Sequence, residues 1–356
     1  MKAKPEFPET LREAVQYFSE PDRCIEFMTA VQWPDGRVKC GRCGSESVYY
    51  MKSCRRFKCR ACKNQFSVKI NTIFEESPLG FDKWLPAVWM IINAKNGISS
   101  CEIARALGVT QKTAWFMLHR IRLALQDGSL CKFAGNVEVD ETFIGGKARK
   151  MNNRQWRSWS RKVSAGPFAG KAPVQGILQR TEDGKSSRVA LMQVRSLDKA
   201  ELQGNIKEYV LKGSKVYTDE NGAYVGLKKD YTHSVINHAV CYARGHVHTN
   251  GLENFWSLLK RTIKGTYVSV EPFHLFRYLD EQAFRFNERK DTDAGRFLKG
   301  ILGVVGKRLQ YITLIGQRGY CQPPTSGTRQ AEAKEGKRRM KRKPFGGFED
   351  MGLQPA

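Results

Sequence analysis

The sequence predicts a multidomain α+β or α/β protein: an N-terminal zinc ribbon, a helix-turn-helix and then a mixed-sheet core. Three observations predict it. Four cysteines stand as Cys40-x2-Cys43-x15-Cys59-x2-Cys62, a paired-knuckle spacing that turns four thiolates toward one tetrahedral Zn²⁺. A helical period interrupted by a glycine turn follows over 98–121. From 136 onward, strand-like alternation gives way to long helical periods, as in a sheet with packed helices.

The chain has 356 residues, enough for two or three domains with sizeable cores. Lys and Arg total 60 against 35 Asp and Glu, a net charge of +25. An excess that large favours a polyanionic partner, most simply double-stranded DNA, over a generic basic surface. The N-terminal stretch lacks the apolar core of a signal peptide, and the longest apolar run, Trp84 to Ile92, is too short to span a bilayer. No membrane role is expected. Cys24, Cys54, Cys101, Cys131, Cys241 and Cys321 show no framework spacing. That fits a reducing cytoplasm, with the chain associated with the nucleoid.

In chain order, residues 8–33 read as two short helices, with Leu11, Ala14, Val15 and Phe18 on one stripe. Trp33-Pro-Asp-Gly36 then turns the chain into the ribbon, whose strands include Ser47 to Met51 and Gln65 to Lys69. The alternative to zinc is two disulfides or four buried free thiols. Helical period returns at Phe81, with Trp84, Val88, Ile91 and Ile92 on one face. Ser99 or Ser100 caps the next helix, Ala104 is small at a close approach, and Gly108 suits a left-handed turn. Ala114, Leu118 and Ile121 then face inward on a second helix. Its outer face would carry Gln111, Lys112, Trp115 and His119 toward a major groove. An ordinary helical hairpin is the plainer reading. The expected domains are 1–75 (helices and ribbon), 76–130 (helix-turn-helix), 131–321 (mixed-sheet core) and 322–356 (a basic disordered tail).

Within the core, Asn136 to Gly145 reads as a strand with Asp140 in its middle, and Lys215 to Asp219 as a short strand ending in an acid. Pro173 to Gln179 and Arg188 to Val194 are further strands. Leu197 to Leu211, Thr249 to Lys264 and Pro272 to Glu288 are helical. Gly145 to Arg180 carries many cations and no acid, with Lys147, Arg149, Arg154 and Arg157 as candidate phosphate contacts.

Phosphodiester chemistry on DNA commonly uses two divalent metals held by carboxylates, which stabilise the attacking and leaving oxygens. Acids at the ends of separate elements are therefore the expected pattern. Asp140 and Asp219 fit, though each could be a plain turn acid, and Asp219 could cap a following helix. On the helix from Thr249, Asn250, Glu253, Ser257 and Lys260 share one face, while Leu252, Phe255, Trp256 and Leu259 face the core. A carboxylate two turns before a lysine suits a metal ligand beside a phosphate clamp, or a plain surface pairing. A rival reading puts His246, His248 and Glu253 on a catalytic zinc. Glu141 is expected on the opposite side of the strand from Asp140.

The order of parts resembles the bacterial insertion-sequence transposases of the ISXO type. The matching segments are Trp33-Pro-Asp-Gly36, Cys40-Gly-Arg-Cys-Gly44, Phe57-Lys-Cys-Arg-Ala-Cys62, Val139-Asp-Glu-Thr-Phe-Ile-Gly-Gly146, Tyr217-Thr-Asp219, His248-Thr-Asn-Gly-Leu-Glu253, Phe255-Trp-Ser-Leu-Leu-Lys-Arg261, Tyr278-Leu-Asp-Glu281 and Phe284-Arg-Phe-Asn287. The resemblance implies an RNase H-like core with Asp140 and Asp219 as the first two metal ligands. The third position stays open between Asn250 and Glu253, and Glu253 is favoured because a carboxylate binds Mg²⁺ better than an amide. Two Mg²⁺ or Mn²⁺ per site, a structural Zn²⁺ and a dimer or larger assembly follow from the resemblance. So does the reaction, DNA strand cleavage and strand transfer at terminal inverted repeats. The competing functions are a DNA-binding regulator without catalysis and a simple nuclease of the same fold.

Overall fold

A computed structural model describes residues 7–126, 132–145, 171–181, 186–236 and 248–316. Two compact units divide these residues: one takes the described residues up to Gln126 together with 291–316, the other those from 132 to Lys290. Residues 291–316 thus leave the stretch 131–321 that reads as one domain in sequence.

In the first unit, α1 (Leu11–Tyr17) and α2 (Pro21–Gln32) fall where the apolar stripe places them. Thr10 and Glu13 close a capping box on α1, and Pro21 opens α2. The ribbon is an antiparallel sheet of β1 (Val48–Met51), β2 (Arg56–Cys59) and β3 (Gln65–Phe66). Its register aligns Tyr50 with Phe57 and Phe57 with Phe66 on one face, and Tyr49 with Lys58 and Lys58 with Gln65 on the other. The next helix, α3 (Phe81–Asn93), is apolar nearly all round and is buried accordingly. Ser99 and Glu102 form a capping box on α4 (Ser100–Leu107), which ends at Gly108 with φ 61°. Glycine takes that left-handed conformation without a Cβ clash. Thr110 then caps α5 (Gln111–Ala124).

The second half of α5 is locked in place. The buried Arg120 donates to the carbonyls of Ile73 (2.9 Å) and Leu309 (3.1 Å). Lys307 Nζ satisfies the orphan carbonyls of Leu123 and Ala124 at the helix end. After Lys290 the chain returns to this unit with α9 (Asp293–Leu302) and the short α10 (Tyr311–Leu314). Phe297 of α9 sits 5.0 Å from Trp89 and 5.6 Å from Phe18, centroid to centroid. A Cβ at Gly300 would lie 2.2 Å from Ile92. This burial is why 291–316 belongs with the helices rather than with the sheet.

The second unit is built on β4 (Asn136–Gly145), β5 (Lys171–Gln179), β6 (Arg188–Gln193), β7 (Lys215–Thr218) and β8 (Thr232–Val235). The strand order is β6-β5-β4-β7-β8. β4, β5 and β6 run antiparallel, whereas β7 pairs parallel to β4, and β8 parallel to β7. A three-strand meander extended by two parallel strands, with its first strand central, is the RNase H-like arrangement. α6 (Lys199–Tyr209) covers one face, where Leu202 and Ile206 meet Val137, Val139 and Ile177. α7 (Asn250–Gly265) and α8 (Leu275–Asn287) cover the other, where Leu252, Phe255, Trp256 and Leu259 meet Ile144, Val174 and Leu191. Alternation along β4 therefore sends Val137 and Val139 toward α6, and Glu138, Asp140 and Ile144 toward α7. No helix among the described residues is long and apolar enough to cross a membrane.

Candidate active site

β4 and β7 are parallel and in register, with Glu138 opposite Tyr217. Asp140 and Asp219 each lie two residues beyond that pair, so the ladder carries both to the same edge. Carboxylate oxygens of Asp140, Glu141 and Asp219 lie within 4.8 Å of one another. The inclusion of Glu141 departs from the sequence expectation, which put it across the strand from Asp140. β7 stops at Thr218 while β4 runs on to Gly145. Past Tyr217 the edge of β4 is open, and carboxylates from both faces reach round it to Asp219.

Burial pushes the Asp140 carboxyl up, and repulsion from Asp219 and then Glu253 adds to it; the Trp256 hydrogen bond pulls the other way. Burial, followed by repulsion from Asp219 and Asp140, raises Glu141 to about 8. Glu141 Oε2 is 3.4 Å from Asn221 Nδ2, while its buried Oε1 has no hydrogen-bond partner. Crowded carboxylates with an unsatisfied oxygen are the donor set of a hard divalent cation such as Mg²⁺ or Mn²⁺. Asp219 Oδ1 accepts from the backbone of Asn221, and it is Asn221, not Asp219, that caps the short turn of helix that follows.

The helix α7 brings its polar face to the same edge. Trp256 Nε1 donates to Asp140 Oδ2 at 2.9 Å. Glu253, one turn earlier, is exposed; it lies outside the three-carboxylate group but close enough to raise Asp140. Asn250 is the exposed first residue of α7, and Lys260 is half-exposed two turns after Glu253. The rival zinc site is not supported. His248 Nδ1 lies 3.0 Å from Arg180 Nη2, a cation that opposes a second one, and His246 lies outside the described residues. Glu138, fully buried two residues before Asp140, was not anticipated. An acid on the Asp140 side of a strand otherwise lined by valines was its only sequence signal.

The ribbon cysteines converge as their spacing predicts. Sγ of Cys40 lies 3.6 Å from that of Cys62, Cys43 lies 3.6 Å from Cys59, and all four fall within 4.8 Å of one another. Disulfides need about 2 Å. A tetrahedral zinc with bonds of about 2.3 Å needs sulfur separations of about 3.8 Å, so the site fits zinc. Backbone N–H groups, that of Cys62 foremost, pull the Cys59 thiol down to about 6, which readies it as a thiolate.

On α5, Gln111 and Lys112 are exposed and Trp115 half-buried. Gln111 Nε2 holds Ser100 Oγ at 2.8 Å, and Lys112 Nζ stands 4.9 Å over the Tyr311 ring. His119, expected on the outer face, is instead fully buried. Helices α3 and α9 both pack on α5, so only its first two turns stay open. Lys147, Arg149, Arg154 and Arg157 lie outside the described residues.

Residues 132–287 match the ISXO2-like transposase domain, and residues 20–65 match the transposase zinc-ribbon domain. Among curated proteins none matches the chain. One domain covers the sheet with the three carboxylates and the other the four-cysteine ribbon, so the chain belongs to the ISXO-type insertion-sequence transposases.

Proposed function

We propose that the protein binds the terminal inverted repeats of its element and catalyses metal-dependent DNA strand cleavage and strand transfer. The observation that carries this is the convergence of Asp140, Glu141 and Asp219 at the open edge of the central strand. Asp140 and Asp219 would hold the divalent ions, with Glu253 as the third ligand, Asn250 beside it and Glu141 as an additional carboxylate. Two bound ions would supply charge stabilisation to the attacking and leaving oxygens of an in-line displacement. Trp256 orients the Asp140 carboxylate, and Lys260 would grip a phosphate next to it. The chain's contribution is position and charge, with no covalent protein–DNA bond.

DNA would be gripped by two surfaces of the first unit. The first two turns of α5 offer Gln111, Lys112 and Trp115 to base edges. The outer ribbon face carries Tyr49, Arg56, Lys58 and Arg60, with the Arg60 guanidinium 5.4 Å over the Tyr49 ring, and no acid in 48–66. Lys147, Arg149, Arg154 and Arg157 would add phosphate contacts. Joining two element ends calls for at least a dimer.

The test is a strand-transfer assay with purified protein, a labelled element-end duplex, a target plasmid and Mg²⁺ or Mn²⁺, run beside Asp140→Asn. Joined product from the wild type alone is the expected result. Specific end binding without cleavage or joining under either metal would make the protein a DNA-binding regulator, and cleavage without joining a nuclease. End affinity should fall by about 10³ to 10⁵ between 50 and 200 mM salt if about six to ten phosphates are neutralised.

A further inference from the structure

Glu138 is a carboxylate with no exposed surface, in the same strand and on the same face as Asp140. Burying a charge is costly unless it is paired and hydrogen-bonded. Here both carboxylate oxygens are engaged. Oε1 takes Arg180 Nε at 2.7 Å, with His248 Nδ1 at 3.4 Å. Oε2 accepts the backbone N–H of Leu252 at 2.9 Å, one of the orphan donors in the first turn of α7. Arg180 Nη2 also donates to the His248 carbonyl at 2.6 Å, just before that helix begins. Arg180 is held in turn from behind by the Tyr217 ring, 4.3 Å from its guanidinium carbon. Gly251 completes the joint, since a Cβ there would lie 2.8 Å from Glu138 Oε2.

Resting on the transposase reading, we infer that Glu138 is a positioning residue: with Arg180 and Gly251 it sets where α7 starts, and so where Asn250 and Glu253 stand relative to Asp140. The physical reasoning is direct. Asp140 and Glu138 share one strand, so the joint ties the helix bearing the third ligand to the strand bearing the first. A hydrophobic contact could hold the helix down but would let it slide or rotate. A buried charge that accepts from one specific N–H fixes both the register and the rotation. Trp256, one turn beyond Glu253, then meets Asp140 as the second fixed point. A misplacement of about 1 Å can cost an active site about 10²-fold in rate.

The test uses the full chain with Glu138→Gln, Gly251→Ala and the double variant Glu138→Asp/Gly251→Ala. Glu138→Gln keeps the shape but turns an amide N–H₂ toward Arg180 or Leu252. Gly251→Ala pushes on the carboxylate, and Glu138→Asp withdraws it by one carbon to make room. Three readouts are needed: the thermal midpoint, the indole N–H resonance of Trp256 (assigned with Trp256→Phe), and Mn²⁺-dependent strand transfer resolved into kcat and KM for the end duplex. We expect each single variant to move the Trp256 resonance and to lower kcat by about 10- to 100-fold, with KM within about threefold of wild type. The double variant should recover both signals toward wild type. Single variants with an unmoved resonance and wild-type kcat would overturn the proposal, as would a double variant no better than Gly251→Ala. If the wild type itself joins no DNA, the transposase reading fails separately, and the Trp256 resonance still decides whether Glu138 seats the helix.

Discussion

The indole nitrogen of Trp256 donates a 2.9 Å hydrogen bond to Asp140 Oδ2, while its ring packs in the apolar cluster between α7 and the sheet. One side chain therefore belongs to both the core and the acidic site. Trp256→Phe keeps most of the apolar surface and removes the donor. It should cost about 1–2 kcal/mol of stability and push the Asp140 carboxyl further up, since that bond holds it down. Denaturant titration reads the first effect, and a rightward shift of the pH–rate profile of strand transfer reads the second.

Gly176 stands opposite Asp140 on β5, and a Cβ there would lie 2.7 Å from the Trp256 ring and 2.9 Å from Leu252. Gly176→Ala should therefore displace Trp256 from Asp140 and destabilise the second unit by about 1–3 kcal/mol. Thermal denaturation measures the loss. A midpoint equal to wild type would show that the ring moves aside freely.

Glu141 gives a pH dependence whose sign is fixed. Its ordinary value is 4.5, and the fold holds the proton up to about 8. Below 4.5 both states are protonated and folding gains or loses nothing. As pH rises from there to about 8, the unfolded chain releases the proton and the folded chain keeps it, so stability falls across that window. The loss levels off above it at about 5 kcal/mol at most. Glu141→Gln removes this term. In magnesium-free buffer its stability advantage over wild type should be small at pH 5 and largest at pH 8.5. Added Mg²⁺ should shrink the advantage by stabilising the wild type. A difference flat with pH, read from urea midpoints, would refute the account.

Cys59→Ser should lower bound zinc and release the ribbon. Zinc binding supplies most of the folding free energy of such small modules. Metal analysis should show less than one zinc per chain. Hydrogen exchange should show lost protection over β1 to β3 with the five-stranded sheet unchanged. A full zinc complement would count against four-sulfur ligation.

Much of this architecture is legible in the sequence because it is written in local spacing. The two Cys-x2-Cys knuckles, the glycine at position 108 and the Leu252, Phe255, Trp256, Leu259 stripe each declare their geometry within a few residues. The acids at 140 and 219 are legible as strand residues beside turns. What escaped depends on distant parts. Glu141 joins the site because β7 ends early, which no pattern around Glu141 records. His119 is buried on a helix against which both α3 and, from far down the chain, α9 pack. The strand at 232–235 is short and half-exposed, without the alternation that marks its neighbours. Helix α9 has a clear apolar face, but nothing near it says which unit that face meets.

The parallel pairing of β4 with β7 also sets when, during synthesis and folding, the acidic site comes into being. Asp219 reaches Asp140 only after the meander, the crossover helix and the β4–β7 ladder are in place, a non-local closure of the kind that forms slowly. Helix α7, which seats Asp140 through Trp256, is made later still. A nascent or prematurely ended polypeptide can thus carry its ribbon cysteines while its acidic site does not yet exist, and the helical unit stays incomplete until 291–316 supplies Phe297, Lys307 and Leu309. Chain order thus makes both units late: the acidic edge waits for α7, and the helical unit waits for a segment synthesised after it.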